Sequence, residues 1–349
     1  MNAPALGLAL ASLTAATSAQ SHVTAPAAQA THDAVRHLWL AGAGDDMRQQ
    51  VLIGASHLSA LVGEQLTAIE LRRDANANAY AAGAAHWTVT VSSSAADTYD
   101  ASEVFAANVG ADAVQVFDGQ VSFPASPPAP SSAVAWNADN VVRVAFQTPF
   151  AYSGGRLCVD IAGAAVPGQE SFDWLPDAHC EDPTGAAVTL GGGCGPFATQ
   201  AYVDDYGLSV GSTATFTAGG TPNFFSFAMT GPALAAPVPL SLIGWGAPYS
   251  GCAIRVDPMS VTPILLPDLF GASMGIGAWR LPIPNDGALQ GLGFVTQWLD
   301  WATRTTTDAI AWSVGARYAL DMATVEGDLQ ATAGHRVTNT AFVVRIEHQ

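Results

Sequence analysis

The chain has no lysine. Its 12 basic residues are all arginines, set against 29 acidic ones, and the formal net charge is −17 over 349 residues. Arginine without lysine, beside abundant alanine, is the composition of GC-rich coding sequence. The densest basic cluster is the pair Arg72 and Arg73. Phosphate backbones and anionic membrane surfaces are held by Lys/Arg patches, so this charge pattern argues against both, and nucleic-acid binding is not expected. Charged residues of either sign make up only 12%. Solubility must then rest on Ser, Thr, Asn, Gln and Gly as well.

Long apolar runs are also missing. The stretch Ala5 to Thr17 is small and apolar but shorter than the ~20 residues that cross a bilayer, so no membrane span is expected. It has the length of a signal-peptide core, and Thr17, Ser18 and Ala19 suit a cleavage site before Gln20, although no basic residue precedes the run. A buried N-terminal helix is the alternative reading of the same letters. The expected division is a signal peptide over 1–19, a leader over 20–34, and export to the medium or the cell surface.

Cysteine is scarce, and no CxxC pair occurs, which removes zinc ribbons and thioredoxin-like sites. Cys158, Cys180, Cys194 and Cys252 form an even set in a chain read as exported, which favours disulfides. Four cysteines allow three connectivities. Cys158–Cys180 and Cys194–Cys252 is preferred, because each bridge then stays within one half. His179 beside Cys180 lacks a second ligand pair and is not read as a metal site.

What the chain does have is period-two patterning. "HWTVTVSSS" sets Trp87, Val89 and Val91 against His86, Thr88 and Thr90, and "QLTAIELRR" sets Leu66, Ala68, Glu70 and Arg72 against Thr67, Ile69 and Leu71. "AVQVFDGQVSF" reads as a hairpin turning at Asp118-Gly119. One short helix is expected at "DASEVFAAN", capped by Asp100 or Ser102 and stopped by Gly110. "LGGGCGPF" marks a boundary, and strands resume with "GSTATFTAG", "NFFSFAMTG", "VPLSLIGWG" and "CAIRVDP". The last strand expected is Thr340 to Glu347. The fold class is all-β: two antiparallel, jelly-roll-like β-sandwich domains in tandem, over 35–190 and 191–349, the second with an added terminal strand.

These segments carry a resemblance. "ELRRD", "WTVTVSSS", "FAANVGADAVQVFDGQVSF" and "TPFAYSGGRLCVDIAG" resemble a module of large exported bacterial proteins of unknown function. "GCGP", "GSTATFTAGG", "LSLIGWG", "GCAIRVDP" and "LPIPNDGALQGLGFVTQW" are similar to a companion module that often ends such chains. The likeness spans roughly residues 35 to 318. It implies two β modules, with the paired cysteines of the second at Cys194 and Cys252, and it implies no activity.

Catalytic signatures are thin. GxSxG occurs around Ser209 and Ser273, but strand and turn patterns follow rather than the helix a nucleophile elbow needs, and His335 is the one histidine downstream that is not at the terminus. Ser56 and His57 are sequence neighbours, which a strand would point apart. Asp45-Asp46, Glu181-Asp182 and Asp204-Asp205 read as solvated turn acids, although a glycosidase would need two facing carboxylates. "DANANAY" places Asp74, Asn76 and Asn78 like the opening of a calcium loop, but Ala79 and Ala85 stand where the loop's glycine and closing glutamate belong, so a self-capping turn explains it equally.

The stretch "GLGFVTQWLDW" asks whether its tryptophans are core or platform. On a strand, Leu292, Phe294, Thr296 and Trp298 share one face, while Val295, Gln297, Leu299 and Trp301 share the other. Burying one such side chain stabilises by roughly 1.5–3 kcal/mol, so a central strand is the first reading. The alternative is sugar stacking, with Trp245, Trp279, Trp298 and Trp301 as candidates. The function expected first is non-catalytic attachment, matrix building or ligand binding, with polysaccharide or another surface protein as partner; a carbohydrate-binding protein and a hydrolase follow.

Overall fold

The computed structural model describes residues 21–34, 36–131, 133–169, 173–245, 247, 249–268 and 274–349. The expected signal peptide and Ser273 lie outside the described residues. The chain is nearly all β, in antiparallel sheets, and the all-β class read from the sequence holds. The described residues contain no helix long and apolar enough to cross a membrane.

A first layered unit faces a six-stranded sheet against a four-stranded one. The six-stranded sheet runs in the order His335–Val337, Met322–Asp328, Met47–Ile53, Arg156–Ala165, Gly83–Ser94, Val114–Phe123. The four-stranded sheet runs Ser21–Ala25, Val344–His348, Gln65–Arg72, Val141–Ala151. Their inner faces enclose Trp87, Val89, Val91 and Ile161 from one sheet and Leu66, Ile69, Val144 and Ile346 from the other. Alternation in "HWTVTV" thus does what its period requires: Trp87, Val89 and Val91 are buried, while His86 is exposed. In Gln65–Arg72 a register shift between Leu66 and Ala68 changes the pattern. This bulge brings Leu66 into one core with Ile69 and Leu71, not onto the opposite face.

A second unit, between about residues 184 and 316, packs a six-stranded sheet on a three-stranded one. The larger runs Ala186–Gly191, Ala309–Ser313, Gly293–Asp300, Phe225–Gly231, Ser260–Leu265, with Thr305–Thr306 beside Gly293–Asp300. The smaller is Ala201–Val203, Thr213–Gly220, Gly275–Pro282. Phe216 and Ala218 meet Trp298, Trp312 and Ala228 in its core. A ribbon of Ala233–Pro239 and Ala253–Val256 covers part of the larger sheet's other face, where Val256 packs on Val295 and Met229.

Several expectations are corrected. The segment 20–34, expected as a leader, contributes Ser21–Ala25 as an edge strand, because its backbone completes the ladder of the chain's last strand. That last strand is two pieces, Thr340–Phe342 and Val344–His348, broken at Val343, whose amide donates to Asp177. It joins the first unit, pairing with Ser21–Ala25 and Gln65–Arg72, and not the second unit as the tandem division at 191 supposed. Asp118 and Gly119 make no turn. They lie within Val114–Phe123, opposite Thr88 and Trp87, and the Gln147 side chain fixes both backbone groups of Asp118. The "LSLI" of "VPLSLIGWG" is a 3-10 turn, Leu240–Ile243. The expected helix shrinks to one turn, Phe105–Asn108, with no side-chain cap; the Ser102 hydroxyl accepts the Val104 amide just before it.

The cysteines divide. Cys194–Cys252 is bridged, with Cα atoms 5.0 Å apart. The preferred Cys158–Cys180 bridge is not formed: both thiols are free. Cys158 is enclosed in Arg156–Ala165, paired with Leu52 and Ser92, whereas Cys180 belongs to a separate small sheet of Arg36–His37, Asp177–Cys180 and Thr340–Phe342. Burial pushes the Cys158 thiol far up, so it stays protonated and inert.

Candidate functional site

Four places deserve comparison: an aromatic corner on the second unit, an acid cluster in the first, the groups proposed for catalysis, and a polar groove between the units.

The aromatic corner comes from the far face of the larger sheet. Phe227 lies opposite Leu299 across the ladder, and the Trp301 amide donates to the Phe225 carbonyl, so Phe225, Phe227 and Trp301 gather at one end. Trp245 joins them from the covering ribbon. Its amide donates to Leu240, which in turn donates to Cys252, so the disulfide anchors the ring. Trp301 and Trp245 have centroids 5.0 Å apart at 77°, and Phe227 meets Trp301 at 5.6 Å and 68°. Edge-to-face contacts of this kind favour a fixed corner over a flat platform. The Arg304 guanidinium lies 6.0 Å from the Trp245 ring. Trp301 is 53% exposed, and Phe225, Leu242, Ile243 and Leu265 are exposed on the same unit.

The tryptophans singled out from sequence therefore separate. Trp298 is enclosed at 1% exposure in the middle of Gly293–Asp300, whereas Trp301 stands in the turn after it. Trp279 stacks on Phe216 at 5.3 Å and lines an apolar cavity of about 280 Å³ with Leu281, Phe294 and Trp312. Trp301 is exposed, with the half-buried Trp245 against it.

"DANANAY" does not turn its oxygens toward an empty position. The Asn76 side-chain oxygen accepts from Arg73 Nη2 at 3.1 Å and from the Asn78 amide at 2.9 Å, and the Asn78 carbonyl also accepts from Arg73. The cation this loop wraps is a guanidinium. Asp74 instead meets Asp33 and Asp177, whose oxygens lie within 4.8 Å of one another. These three carboxylates, like His22, Glu70 and Glu347 elsewhere in the first unit, lie close enough together to hold a metal, but Asp177 already has a counter-charge in Arg72, fully buried and bonded to it and to the carbonyls of His32 and Val134. Asp33 Oδ1 accepts the Ala75 amide at 2.8 Å. Burial first, and then the negative charge of Asp177, pushes Asp33 up to about 7. Burial likewise raises Asp177, against the pull of Arg72.

The groups weighed for catalysis are engaged elsewhere. The Ser209 hydroxyl is buried 2.6 Å from Thr184 Oγ1. Ser56 donates to Asp321 Oδ2 at 2.5 Å, while His57 Nε2 lies 2.6 Å from the Leu320 carbonyl oxygen, so the two neighbours do not form a dyad. Asp204 caps a 3-10 turn through the Tyr206 amide, and Glu181 accepts the Ala319 amide. Asp46 accepts the Ala165 amide.

Sequence reading missed the polar groove. On Thr213–Gly220, Ala214, Phe216 and Ala218 are fully buried, which turns Thr213, Thr215 and Thr217 to the opposite face, the first two half-buried and Thr217 buried. Arg280 lies opposite Thr215, and Tyr202 opposite Thr217. This hydroxyl face lines a cavity of about 330 Å³ together with His335 and Arg336 of the first unit's edge strand. A second cavity, about 270 Å³, holds Arg36 and His37 and shares Asp204, Tyr206 and Asn339 with the first. The signal was present as Thr at alternate positions in "TATFT", but nothing in the chain order shows that residues 335–336 come to face it.

No family model matches the chain, and neither the curated proteins nor the solved structures searched contain a match.

Proposed function

We propose that this chain is an exported, non-catalytic binding protein of the kind used in attachment or matrix building, and that it takes hold of a polysaccharide at the corner formed by Trp301 and Trp245. The supporting observation is the exposure of Trp301 beside Trp245 at the disulfide-anchored end of the second unit. Apolar patches left on a folded surface mark binding sites, since leaving them in water forgoes the burial energy that drives folding. Rings at 77° suit a sugar ring gripped on its face and edge, rather than a crystalline surface that asks for coplanar rings. The engagement of Ser56, His57 and Ser209 in structural hydrogen bonds supports the non-catalytic part of the reading. The Cys194–Cys252 bridge supports export, because such bonds persist in oxidising compartments.

The test is a polysaccharide pull-down with the full chain and with Trp301→Ala and Trp245→Ala. Binding that falls at least about tenfold in both variants supports the reading; tenfold corresponds to about 1.4 kcal/mol. Retention by the variants equal to that of the parent chain, or no retention by any glucan, galactan or uronan tested, overturns it.

A further inference from the structure

The groove between the units offers a second and separate chemistry. The protein carries only 12 arginines against 29 acids, yet Arg36, Arg280 and Arg336 line the two adjoining cavities, along with His335 and His37. Two of the three arginines have no carboxylate within ion-pair distance among the described residues. Arg36 reaches the Tyr206 hydroxyl at 3.3 Å and lies beside the Cys180 thiol, neither of them a carboxylate. Arg336 gives Nη1 to the carbonyls of Tyr99 and Ala101 and Nη2 to Thr213 Oγ1. Arg280 is exposed and meets Glu103 at a loose 3.8 Å. The acids facing the groove are Asp204, which caps its own turn, and Glu103 and Asp100 at the Arg336 end. His37 is turned toward Asp74, 3.6 Å away.

We propose that this groove binds an anionic glycan, one whose sugars carry carboxylates, with Arg36 and Arg280 as the carboxylate-holding residues at its two ends. A guanidinium offers paired donors that match a carboxylate, and its bonds to an ionised acceptor are about twice as strong as neutral ones. The wall between those arginines is the hydroxyl row Thr213, Thr215 and Thr217, with the Tyr202 ring 63% exposed beside it. Hydroxyls both donate and accept, which matches the hydroxyls a sugar presents all round its ring between its carboxylates. The global charge of −17 does not forbid this: the screening length is about 8 Å at physiological salt, so the arginines at the contact outweigh acids on remote faces. The proposal does not rest on the Trp301 corner, which lies on the other sheet of the second unit.

The experiment is affinity electrophoresis and titration calorimetry of the full chain at 150 mM salt, with a polyuronate, a neutral glucan and polyglutamate as probes. Arg36→Gln and Arg280→Gln are the variants, because both side chains are exposed and neither holds the fold; Arg336 is left intact. The expected result is retention by polyuronate, roughly tenfold weaker in each variant and weaker again at 500 mM salt, and unchanged in Trp301→Ala. Polyglutamate binding as tightly as polyuronate would reassign the groove to acidic proteins and overturn the proposal. So would no polyuronate binding, or binding that the two arginine variants leave intact. Loss in Trp301→Ala alone would sink the groove and leave the aromatic corner standing.

Discussion

In the first unit the large rings are enclosed: Trp87 and Trp174 are fully buried and meet Phe123 edge-on at 5.9 and 6.0 Å. In the second, Trp298 is enclosed while Trp301, three residues on, is half exposed. The first unit's inner faces are broad, and it also buries charge, with Arg72 held by Asp177 and the Glu70 and Glu347 carboxylates held by Arg143 and Arg345. The second unit has a smaller core, the one disulfide among the described residues, and a patch of unburied rings around it. A wide core can close over its aromatics and absorb ion pairs. A narrow one leans on a covalent crosslink and leaves apolar surface over, which is where binding becomes affordable in stability.

The sharpest break of this comparison is Trp87→Ala. It empties a filled core site and removes the indole bond to the Ala41 carbonyl, and is expected to cost about 3–5 kcal/mol in urea denaturation. Next is the pair Cys194→Ser and Cys252→Ser. The bridge spans a separation of 58 residues, and its loss is expected to lower the stability of the second unit by about 2–4 kcal/mol, read by tryptophan fluorescence. If both units lost stability equally, the contrast between them would fail. Thiol titration adds a check: Cys158 should react only after unfolding.

A smaller effect concerns pH. The folded chain holds the Asp33 proton up to about pH 7, whereas the unfolded chain releases it near the ordinary 3.8. Across that window the folded state binds more protons, so stability falls as pH rises through it and levels off above. Asp177, also raised, acts in the same direction. The melting temperature should therefore drop between pH 5 and pH 8, and Asp33→Asn should flatten the drop. An unchanged slope would show that the cluster does not titrate with folding. Smallest is Trp301→Ala, expected to change stability by no more than about 0.5 kcal/mol while weakening polysaccharide retention. A large loss of stability would instead make Trp301 a packing residue.

The parts legible in the sequence were those governed by local period. Trp87, Val89 and Val91 face inward because a strand alternates, whereas Trp298 is enclosed within Gly293–Asp300 and Trp301 is exposed because it stands in the turn just past that strand's end. The Asp118-Gly119 hairpin misled because neighbouring strands offered that backbone better partners than a turn could. In the loop of Asp74, Asn76 and Asn78, what the sequence did not show is that the guanidinium of Arg73, directly before it in the chain, takes up the Asn76 and Asn78 oxygens.

By itself the sequence determined an all-β chain, its strand faces and the availability of Cys194 and Cys252 for bonding, since backbone geometry and side-chain alternation are local properties. Only the tertiary structure decided that Val344–His348 returns to Gln65–Arg72, that Cys158 and Cys180 stay apart, and that Arg36, Arg280 and Arg336 line adjoining cavities. Those pairings join residues tens to hundreds of positions apart. They are selected by the burial and hydrogen bonding of whole sheets, which no short window of the chain contains.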